Sequence, residues 1–393
     1  MEFVDQAPGV YKDEVFLQLA SRLRTGVPGF VGFVSKLDED QRATEGAAFS
    51  KPIALHRKGE FESNFKAFPE GYLADAVTGF FLNEGPLCYV VAVELKKPMD
   101  AKARADALKA ALDSLASLTD LDLVAVPDAT LRFSNEEQQV YTIAMNLQRD
   151  ILQHCATNGG RMAILDALPG QDAAAVTGQR DTITAGLSEP INGALYYPWI
   201  KTYEGTMIPP SGHIAGVFAR SDARVGVFKA PANEEVKGAL DLEVVVDNSM
   251  QGPLNSQGIN CVRAFPGRGI RVWGARTLSH DPSWRYINIR RLFLTLQRWI
   301  DLNMGWANFE PDMPQLWVRI TRELNSYLSE LWRAGALAGQ TADEAFYIKC
   351  DRETNPPDAL EAGQTITEIG LAPSTPSEFV VVRIVHHTAV EPR

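Results

Sequence analysis

The sequence predicts an α/β fold, because strand-like and helix-like segments alternate through the middle of the chain. Between about residues 70 and 200, short apolar runs alternate with longer segments whose apolar residues recur at helical spacing. The strand-like runs are Leu87–Leu95, Asp122–Val126 and Arg161–Asp166, and the helix-like segments are Ala101–Leu118 and Asn135–Thr157. Such alternation is typical of a sheet with helices packed on its faces.

Further segments extend this pattern on either side. Gly26–Val34 contains Pro-Gly followed by an apolar run, which predicts a turn that leads into a buried strand. Tyr286–Met304 and Pro314–Arg333 carry apolar residues at i, i+3, i+4 and i+7, so each is expected to be a helix with one buried face. A strand is predicted at Phe346–Cys350. A chain of 393 residues suits two or three domains.

Composition excludes several classes of protein. The formal net charge of −11 disfavours general nucleic-acid binding, and 45% hydrophobic residues are enough for sizeable cores. No apolar run reaches the roughly 20 residues of a membrane-spanning helix, so no direct membrane insertion is expected. Met1–Asp5 lacks the basic and apolar regions of a signal peptide, which predicts a protein made in the cytoplasm. The four cysteines show no Cys-x-x-Cys spacing and are expected to be buried free thiols.

Candidate catalytic and cofactor motifs fail on their spacing. Gly267–Gly274 is rich in glycine, but Val272 stands where the dinucleotide-binding motif needs its third glycine. The sequence contains no Gly-Lys, Gly-x-Ser-x-Gly or His-Glu, which excludes a Walker A loop, an esterase elbow and a His-Glu-x-x-His zinc helix. His386 and His387 are adjacent on a predicted strand and would face opposite sides. No catalytic residue, cofactor or metal ligand is predicted, although a triad assembled from distant residues is left open.

The chain ends with an apolar strand on a proline-containing linker. The linker is 371–377, and the strand lies within Glu378–His387. Both sides of this strand are mostly apolar, so we expect it to be covered above and below. The apolar residues concerned are Phe379, Val380, Val381, Val382, Ile384 and Val385. A strand on a linker can join its own sheet or that of a neighbouring chain.

Seven phrases follow one another along the chain: Pro8–Tyr11, Tyr72–Phe81, Arg161–Asp166, Tyr196–Trp199, Pro209–Asp222, Gly226–Asn233 and Asn260–Ser279. Taken in this order, they resemble contractile tail sheath proteins of phages and phage-tail-like injection systems. The last phrase is the most informative, because it combines turn glycines, an Ile-Arg-Val-Trp run and four arginines and is similar to the C-terminal signature of that family. Together with the helices that follow, the resemblance covers most of 194–350.

The resemblance implies a phage tail-sheath-like α/β fold with two extended arms. It divides the chain into an N-terminal arm (1–20), an α/β domain (21–255), a helix-rich C-terminal domain near an inner tube (256–370), and a linker with the C-terminal arm (371–393). The arms are expected to pair with strands of adjacent subunits. The linking residues would be Val10, Tyr11 and Val15 in the first arm and the six apolar residues named above in the second.

The function implied by the resemblance is structural and mechanical. Copies of the chain would stack as six-membered rings around an inner tube and contract to drive the tube through a target envelope. The implied partners are further copies of the chain, the inner tube protein, and baseplate and tail-terminator or cap proteins. Assembly would take place in the bacterial cytoplasm, and the product would be a phage tail or an injection particle. The alternatives are another tail or baseplate component, or an α/β enzyme with an unrecognised site.

Charge is distributed unevenly along the chain. Residues 260–333 contain eleven arginines, no lysine and six acidic residues. One interpretation is a solvated face with intrachain pairs such as Arg319 with Glu323. Another is that part of this set faces an acidic partner, because the planar guanidinium binds carboxylates in pairs. On the second interpretation, Arg290, Arg291 and Arg298 are expected to contact the tube or a neighbouring subunit.

Overall fold

The computed structural model describes residues 23–36, 49–95, 99–131, 137–307, 314–358 and 364–376. The α-helices within these ranges are α1 Gly59–Asn64, α2 Leu73–Leu82, α3 Ala101–Asp113, α4 Glu137–Thr157, α5 Ala173–Thr184, α6 Ser211–Arg224, α7 Asn248–Ser256, α8 Ile287–Asn303, α9 Pro314–Arg333 and α10 Ala342–Ala345. The strands are β1 Pro28–Lys36, β2 Ile53–Leu55, β3 Lys66–Ala67, β4 Cys88–Glu94, β5 Leu123–Ala125, β6 Met162–Asp166, β7 Gly193–Tyr197, β8 Ile200–Thr202, β9 Met207–Ile208, β10 Ala239–Leu242, β11 Ile259–Phe265, β12 Gly269–Trp273, β13 Phe346–Lys349 and β14 Glu368–Leu371.

Local sequence explains where several helices begin. Asp100, Asp172 and Asp247 stand immediately before α3, α5 and α7, and each carboxylate accepts a backbone N–H from the first turn of its helix. Aspartate is favoured at this position because it satisfies an N–H group that has no partner within the helix. Short polar side chains therefore set the starts of three helices that cover the sheet or its end.

A mostly parallel sheet forms the centre of the molecule. Its strand order is β12-β11-β7-β6-β5-β1-β4-β2, with β3 paired to β1. The six strands from β11 to β4 are parallel, whereas β12, β2 and β3 are antiparallel to their neighbours. The strand order reverses between β1 and β5, since the chain passes from β1 outward to β4 and then returns across β1 to β5. This is the arrangement of a doubly wound α/β sheet.

Helices cover both faces of the sheet. Phe80 of α2 and Phe218 of α6 are buried against Phe30 of β1 on one face. On the other face, Leu112 of α3 and Ile151 of α4 belong to a second core cluster with α5. Because both faces are covered, the central strands are mostly apolar, as in β6, where all five residues are buried and four of them are apolar.

Helix α8 connects the sheet domain to a smaller helical domain. Its Ile287 and Leu294 pack in the sheet core, whereas its Leu292 and Leu296 pack in a separate cluster with Leu328 of α9. A further cluster, around Leu324 of α9, continues this second core. The smaller domain also contains α10 and the antiparallel pair β13–β14.

The predicted α/β class is confirmed, and the predicted helix Pro314–Arg333 has the observed bounds. The domain boundary predicted at residue 256 is wrong, because β11 pairs in parallel with β7 and β12 with β11 inside the main sheet. The sheet domain therefore extends to at least Trp273. A pairing between β11 and β7, more than 60 residues apart, has no local sequence signal.

Candidate functional site

The position at which a doubly wound sheet usually holds a ligand is filled here by the chain itself. Ligands bind outside the carboxyl ends of the strands where the strand order reverses, which in this sheet is between β1 and β5. Asp128 follows β5 and is 1% exposed. Its carboxylate accepts the N–H of Phe33 in β1 and the N–H of Tyr72 at the start of α2, both at 2.5 Å.

The neighbouring backbone is shaped around this carboxylate. A Cβ atom on Gly32 would lie 2.6 Å from Asp128 Oδ2, so glycine is needed there. Burial raises the pKa of Asp128 to about 7, and the N–H donors of Phe33 and Tyr72 oppose that rise. The start of α2, which in other doubly wound proteins can bind an anionic ligand, is thus occupied by an internal carboxylate.

Helix α8 is fastened to the sheet domain by a buried ion cluster. Arg291 Nη1 donates to Asp222 Oδ1 at 2.8 Å, and Arg291 Nη2 donates to Asp222 Oδ2 at 2.5 Å and to Asp122 Oδ2 at 2.8 Å. Asp122 also accepts the N–H groups of Gly26 and Val27, at 3.0 and 2.7 Å. One guanidinium and two carboxylates therefore join the start of β1, the start of β5, helix α6 and helix α8.

The two other arginines of α8 lie beside this cluster. Arg290 Nε donates to Asn192 Oδ1 at 2.7 Å, and its guanidinium lies 4.8 Å from the centre of the Trp284 ring. Burial lowers the pKa of Arg290 to about 10. Arg298 is 6% exposed, and its Nη2 donates to the carbonyl oxygen of Arg24 at 3.1 Å.

These contacts correct the interpretation of the arginine-rich segment. The prediction that Arg291 contacts another chain is wrong, because its guanidinium is 2% exposed and both of its carboxylate partners belong to the same chain. For Arg290 and Arg298, a contact with another chain stays a prediction. The predicted linking residues Val10, Tyr11, Val15 and Phe379–Val385 lie outside the described residues.

The glycine- and arginine-rich phrase Asn260–Ser279 forms the hairpin β11–β12 and the segment that leads toward α8. Gly267 and Gly269 have φ values of +70° and +74° in the connecting turn, a conformation that favours glycine. The Asn260 side chain accepts the N–H of Arg276 at 2.7 Å and donates to its carbonyl oxygen at 2.8 Å. The segment therefore forms one edge of the sheet and directs the chain from β12 toward α8.

Strands β13 and β14 form a separate antiparallel sheet on the smaller domain. Among the described residues this sheet has two strands. Tyr347 of β13 is 52% exposed. A two-stranded sheet is marginally stable alone and gains stability from added strands or from packing. Its free main-chain groups make it a candidate acceptor for a strand from another segment.

Other candidate chemistry is limited within the described ranges. Those ranges contain no group of three or more His, Cys, Asp and Glu side chains placed to hold a metal ion. They also contain no helix with the length and apolar character needed to cross a bilayer. Cys88, Cys155 and Cys261 are buried free thiols, as expected, whereas Cys350 is half-buried, which corrects the prediction for that residue. His213 is buried in α6 beside Gly79.

In the described sites the chain's own residues meet one another: Asp128 occupies the position where the strand order reverses, and Arg291, Asp122 and Asp222 fasten α8. Two family models match the chain: the phage tail sheath protein central domain matches residues 101–278, and the phage tail sheath C-terminal domain matches residues 279–386. The chain belongs to the contractile phage tail sheath family. The break between the two matches, at 278/279, also lies after the β11–β12 hairpin.

Curated relatives carry the same description. The chain is 24% identical over 298 residues to a putative prophage major tail sheath protein of Pseudomonas aeruginosa, which covers 74% of each chain. It is 28% identical over 236 residues to the tail sheath protein of Burkholderia phage BcepMu, covering 55% of this chain and 47% of the relative. These relatives are structural proteins and not enzymes, and so is this chain.

Solved structures extend the similarity over nearly the whole chain. A chain of the anti-feeding prophage baseplate superposes with a TM-score of 0.75 at 29% identity, covering 98% of this chain and 100% of that one. The anti-feeding prophage helical sheath in the contracted state gives 0.73 at 28% identity, covering 97% and 99%. The sheath of the extracellular contractile injection system PVC, also contracted, gives 0.70 at 28% identity, covering 97% and 98%. The protein is therefore a contractile sheath subunit of a phage-tail-like system, and part of a phage tail or an extracellular injection particle.

Proposed function

We propose that the chain polymerises as stacked six-membered rings around an inner tube and that contraction of the stack drives the tube through a target envelope. Support comes from the likeness to a helical sheath in its contracted state and to a chain of a six-fold symmetrised baseplate. On this proposal the subunits assemble in the bacterial cytoplasm, and the particle also contains a tube protein, a baseplate and a terminator or cap.

The observation that carries the proposal is the β13–β14 pair, which an apolar segment follows in the sequence. Strand β14 ends at Leu371, and the apolar segment 379–385 follows after a short linker that contains two prolines. We propose that this segment, and the segment containing Val10, Tyr11 and Val15, add as strands to the β13–β14 pair of adjacent subunits. Main-chain hydrogen bonds supply the affinity of such strand addition, and pockets for alternate side chains supply its register.

The same arrangement accounts for contraction without loss of connection. The sheet domain and α8 are fastened by Arg291, Asp122 and Asp222, so they move together as one body. Linkers such as 371–377 then absorb the change in angle between subunits while strand pairing is kept. Two packings of one subunit lattice, separated by a barrier, would give the extended and the contracted forms.

Contact with an acidic tube is proposed for arginines of α9 that point outward. Arg322 and Arg333 are exposed, unlike Arg291. Exposed charges at an interface mainly affect association rate and salt dependence. Arg322→Glu should therefore weaken co-sedimentation of the sheath with the tube, most strongly at low salt. Arg285→Glu, another exposed arginine outside α9, is the matched control; equal loss in both variants would contradict a specific contact through α9.

Charged substitutions in the C-terminal segment test the linking role. We expect Val381→Asp with Val385→Asp to leave a folded monomer that forms no cylinders in negative-stain microscopy and does not sediment as a polymer. The control, Glu378→Gln with His387→Gln, alters polar residues of the same segment and should assemble normally. Cylinders of normal length from the Val381/Val385 variant would overturn the proposal. Wild-type protein that forms only short rings would favour the alternative, a baseplate-associated component.

A further inference from the structure

Two buried arginines, Arg161 and Arg298, carry positive charge that the surrounding residues do not neutralise. Arg298 donates to the carbonyl oxygen of Arg24, the second residue of the first described range. Gly160, the residue before Arg161, packs against the stem of Arg298. Burial lowers the pKa of Arg161, and the charge of Arg298 lowers it further. Neither arginine takes part in the Arg291 cluster.

Arg161 has its hydrogen-bonding needs met by neutral groups. It is 3% exposed. Its Nη2 donates to the carbonyl oxygens of Leu115 and Leu118 at 2.9 and 2.6 Å, and its Nη1 lies 2.9 Å from His154 Nε2. Burial, followed by the charge of Arg161, lowers the pKa of His154 to about 4, so the imidazole is neutral and accepts this bond. The carbonyl oxygens and the neutral imidazole orient Arg161, but they do not neutralise its positive charge.

The guanidinium of Arg298 has fewer hydrogen-bond partners than that of Arg161. Its Nη2 donates to the carbonyl oxygen of Arg24, while its buried Nε and Nη1 have no acceptor among the described residues. These two nitrogens carry three of the five N–H donors of the guanidinium. Its stem is packed tightly, because a Cβ on Gly160 would lie 2.4 Å from Arg298 Cγ. The side chain is therefore held in place with most of its donors unused.

Such a pair is unfavourable unless an anion joins it. Within the described ranges no carboxylate forms an ion pair with Arg161 or Arg298. Leaving a buried charge uncompensated is strongly destabilising, and buried donors are nearly always paired. By contrast, Arg291 on the same helix is neutralised by two carboxylates. This contrast between two arginines of α8 indicates that Arg298 binds a partner outside the described residues.

We propose that Arg298, with Arg161 behind it, is a binding site for one carboxylate group. The carboxylate comes either from the first 22 residues of the chain, which contain Glu2, Asp5, Asp13 and Glu14, or from a second protein chain in the assembled particle. The second source rests on the proposed function. Exposed residues border the site, among them Arg24, Ala116 and Gln297, so a side chain can reach it through a small rearrangement.

Thermal unfolding of the free, full-length chain tests the site without any assembly. The variants are Arg298→Met, which keeps the apolar stem, Arg161→Met, and the exposed control Arg322→Met. If the site is empty in the free chain, Arg298→Met should raise Tm by about 2–4 °C, because it removes an uncompensated buried charge. Arg161→Met should lower Tm, since three carbonyl oxygens and the imidazole of His154 lose their donor. Sodium acetate, replacing chloride at constant ionic strength and at about ten times its Kd, should raise the wild-type Tm by about 2 °C and leave Arg298→Met unchanged.

A second set of variants identifies the source of the carboxylate. If the first 22 residues supply the carboxylate, Arg298→Met lowers Tm. The amide variant, which combines Glu2→Gln, Asp5→Asn, Asp13→Asn and Glu14→Gln, then lowers Tm by the same amount, and adding Arg298→Met to it lowers Tm no further. If a second chain supplies it, the amide variant has the wild-type Tm and acetate stabilises the free chain.

The proposal is overturned if acetate has no effect on the wild type and Arg298→Met is not coupled to the acidic residues. Should Arg298→Met fail to fold, the wild-type acetate response and the amide variant decide by the same criteria. A failure of assembly with an intact acetate response would count against the proposed function and not against this site.

Discussion

Arg291 of α8 and Asp222 of α6 form a doubly hydrogen-bonded ion pair in which both side chains are 2% exposed. The pair joins residues 69 positions apart. It fastens α8, which carries residues of both cores, to helix α6 of the sheet domain. On the proposed function, in which subunits move as rigid bodies, this fixed connection matters more than the small net stability that a buried ion pair usually contributes.

Removing one partner of this pair should destabilise the chain strongly. We expect Asp222→Asn to lower the free energy of unfolding by about 3–5 kcal/mol, because Arg291 keeps its charge in a buried position. Denaturant-induced unfolding of the free chain measures the change. The control is Glu323→Gln, which breaks the exposed pair with Arg319 and should change stability by no more than about 1 kcal/mol. Equal effects in the two variants would contradict the assignment of Asp222 to a buried, essential pair.

Close packing between α2 and α6 gives a second test. A Cβ on Gly216 would lie 2.6 Å from both Asn83 Cβ and the Phe80 carbonyl oxygen, so Gly216→Ala should destabilise the chain by about 1–3 kcal/mol through overpacking. By contrast, a Cβ on Gly178 of α5 would meet no heavy atom within 4 Å. Gly178→Ala should therefore stabilise the chain by about 0.5–1 kcal/mol, because alanine loses less conformational freedom in a helix. Thermal unfolding of both variants gives the comparison, and a stabilising Gly216→Ala would show that the helices can separate.

The stability of the segment that follows the β11–β12 hairpin is expected to depend on one asparagine. Asn260 satisfies both main-chain groups of Arg276, so Asn260→Ala should cost about 1–3 kcal/mol by leaving part-buried polar groups unpaired. Asn325→Ala, at an exposed position of α9, is the matched control and should have little effect. Hydrogen exchange at the Arg276 amide would locate the change, and unaltered protection there would contradict the assigned role.

Local sequence patterns predict the elements that depend on neighbouring residues. The apolar spacing of Pro314–Arg333 predicts α9, and the Pro-Gly turn before an apolar run predicts β1. Contacts between distant segments leave no such pattern. The composition of 260–333 shows many arginines, but Arg291 is neutralised by Asp122, 169 positions away. A bias in composition cannot distinguish a basic surface from arginines that pair with distant acids.

The acidic residues of the site illustrate the same limit. Asp122 and Asp128 flank an apolar strand, where turn and loop roles are equally compatible with the sequence. Asp222 stands on a helix whose first twelve residues are all buried. Apolar residues on the same helix, Ile214, Val217 and Phe218, could have indicated that Asp222 is buried with a partner, although not which arginine it meets. The identity of the partner follows only from the packing of α8 against α6.

Stability should depend on pH through Asp166, a buried carboxyl group at the end of β6. Burial raises its pKa to about 7, against the hydrogen bonds from Ser211, while the ordinary value is 3.8. Because the folded pKa is the higher one, folding favours the protonated form. The resulting stabilisation is complete below about pH 4 and is lost as the pH rises to about 7, by at most about 1.4 kcal/mol per pH unit. Asp166→Asn retains an oxygen to accept the Ser211 N–H and cannot titrate.

The difference in unfolding free energy between wild type and Asp166→Asn should therefore shift in favour of the variant from pH 4 to pH 7 and stay constant above that. Asp128, whose pKa is also raised to about 7, titrates in both proteins and cancels in the difference. Denaturation curves of the two proteins at matched pH values provide the measurement. Parallel curves across this range would mean that Asp166 is ionised in the folded chain at pH 5, and that its Ser211 hydrogen bonds outweigh the cost of burial.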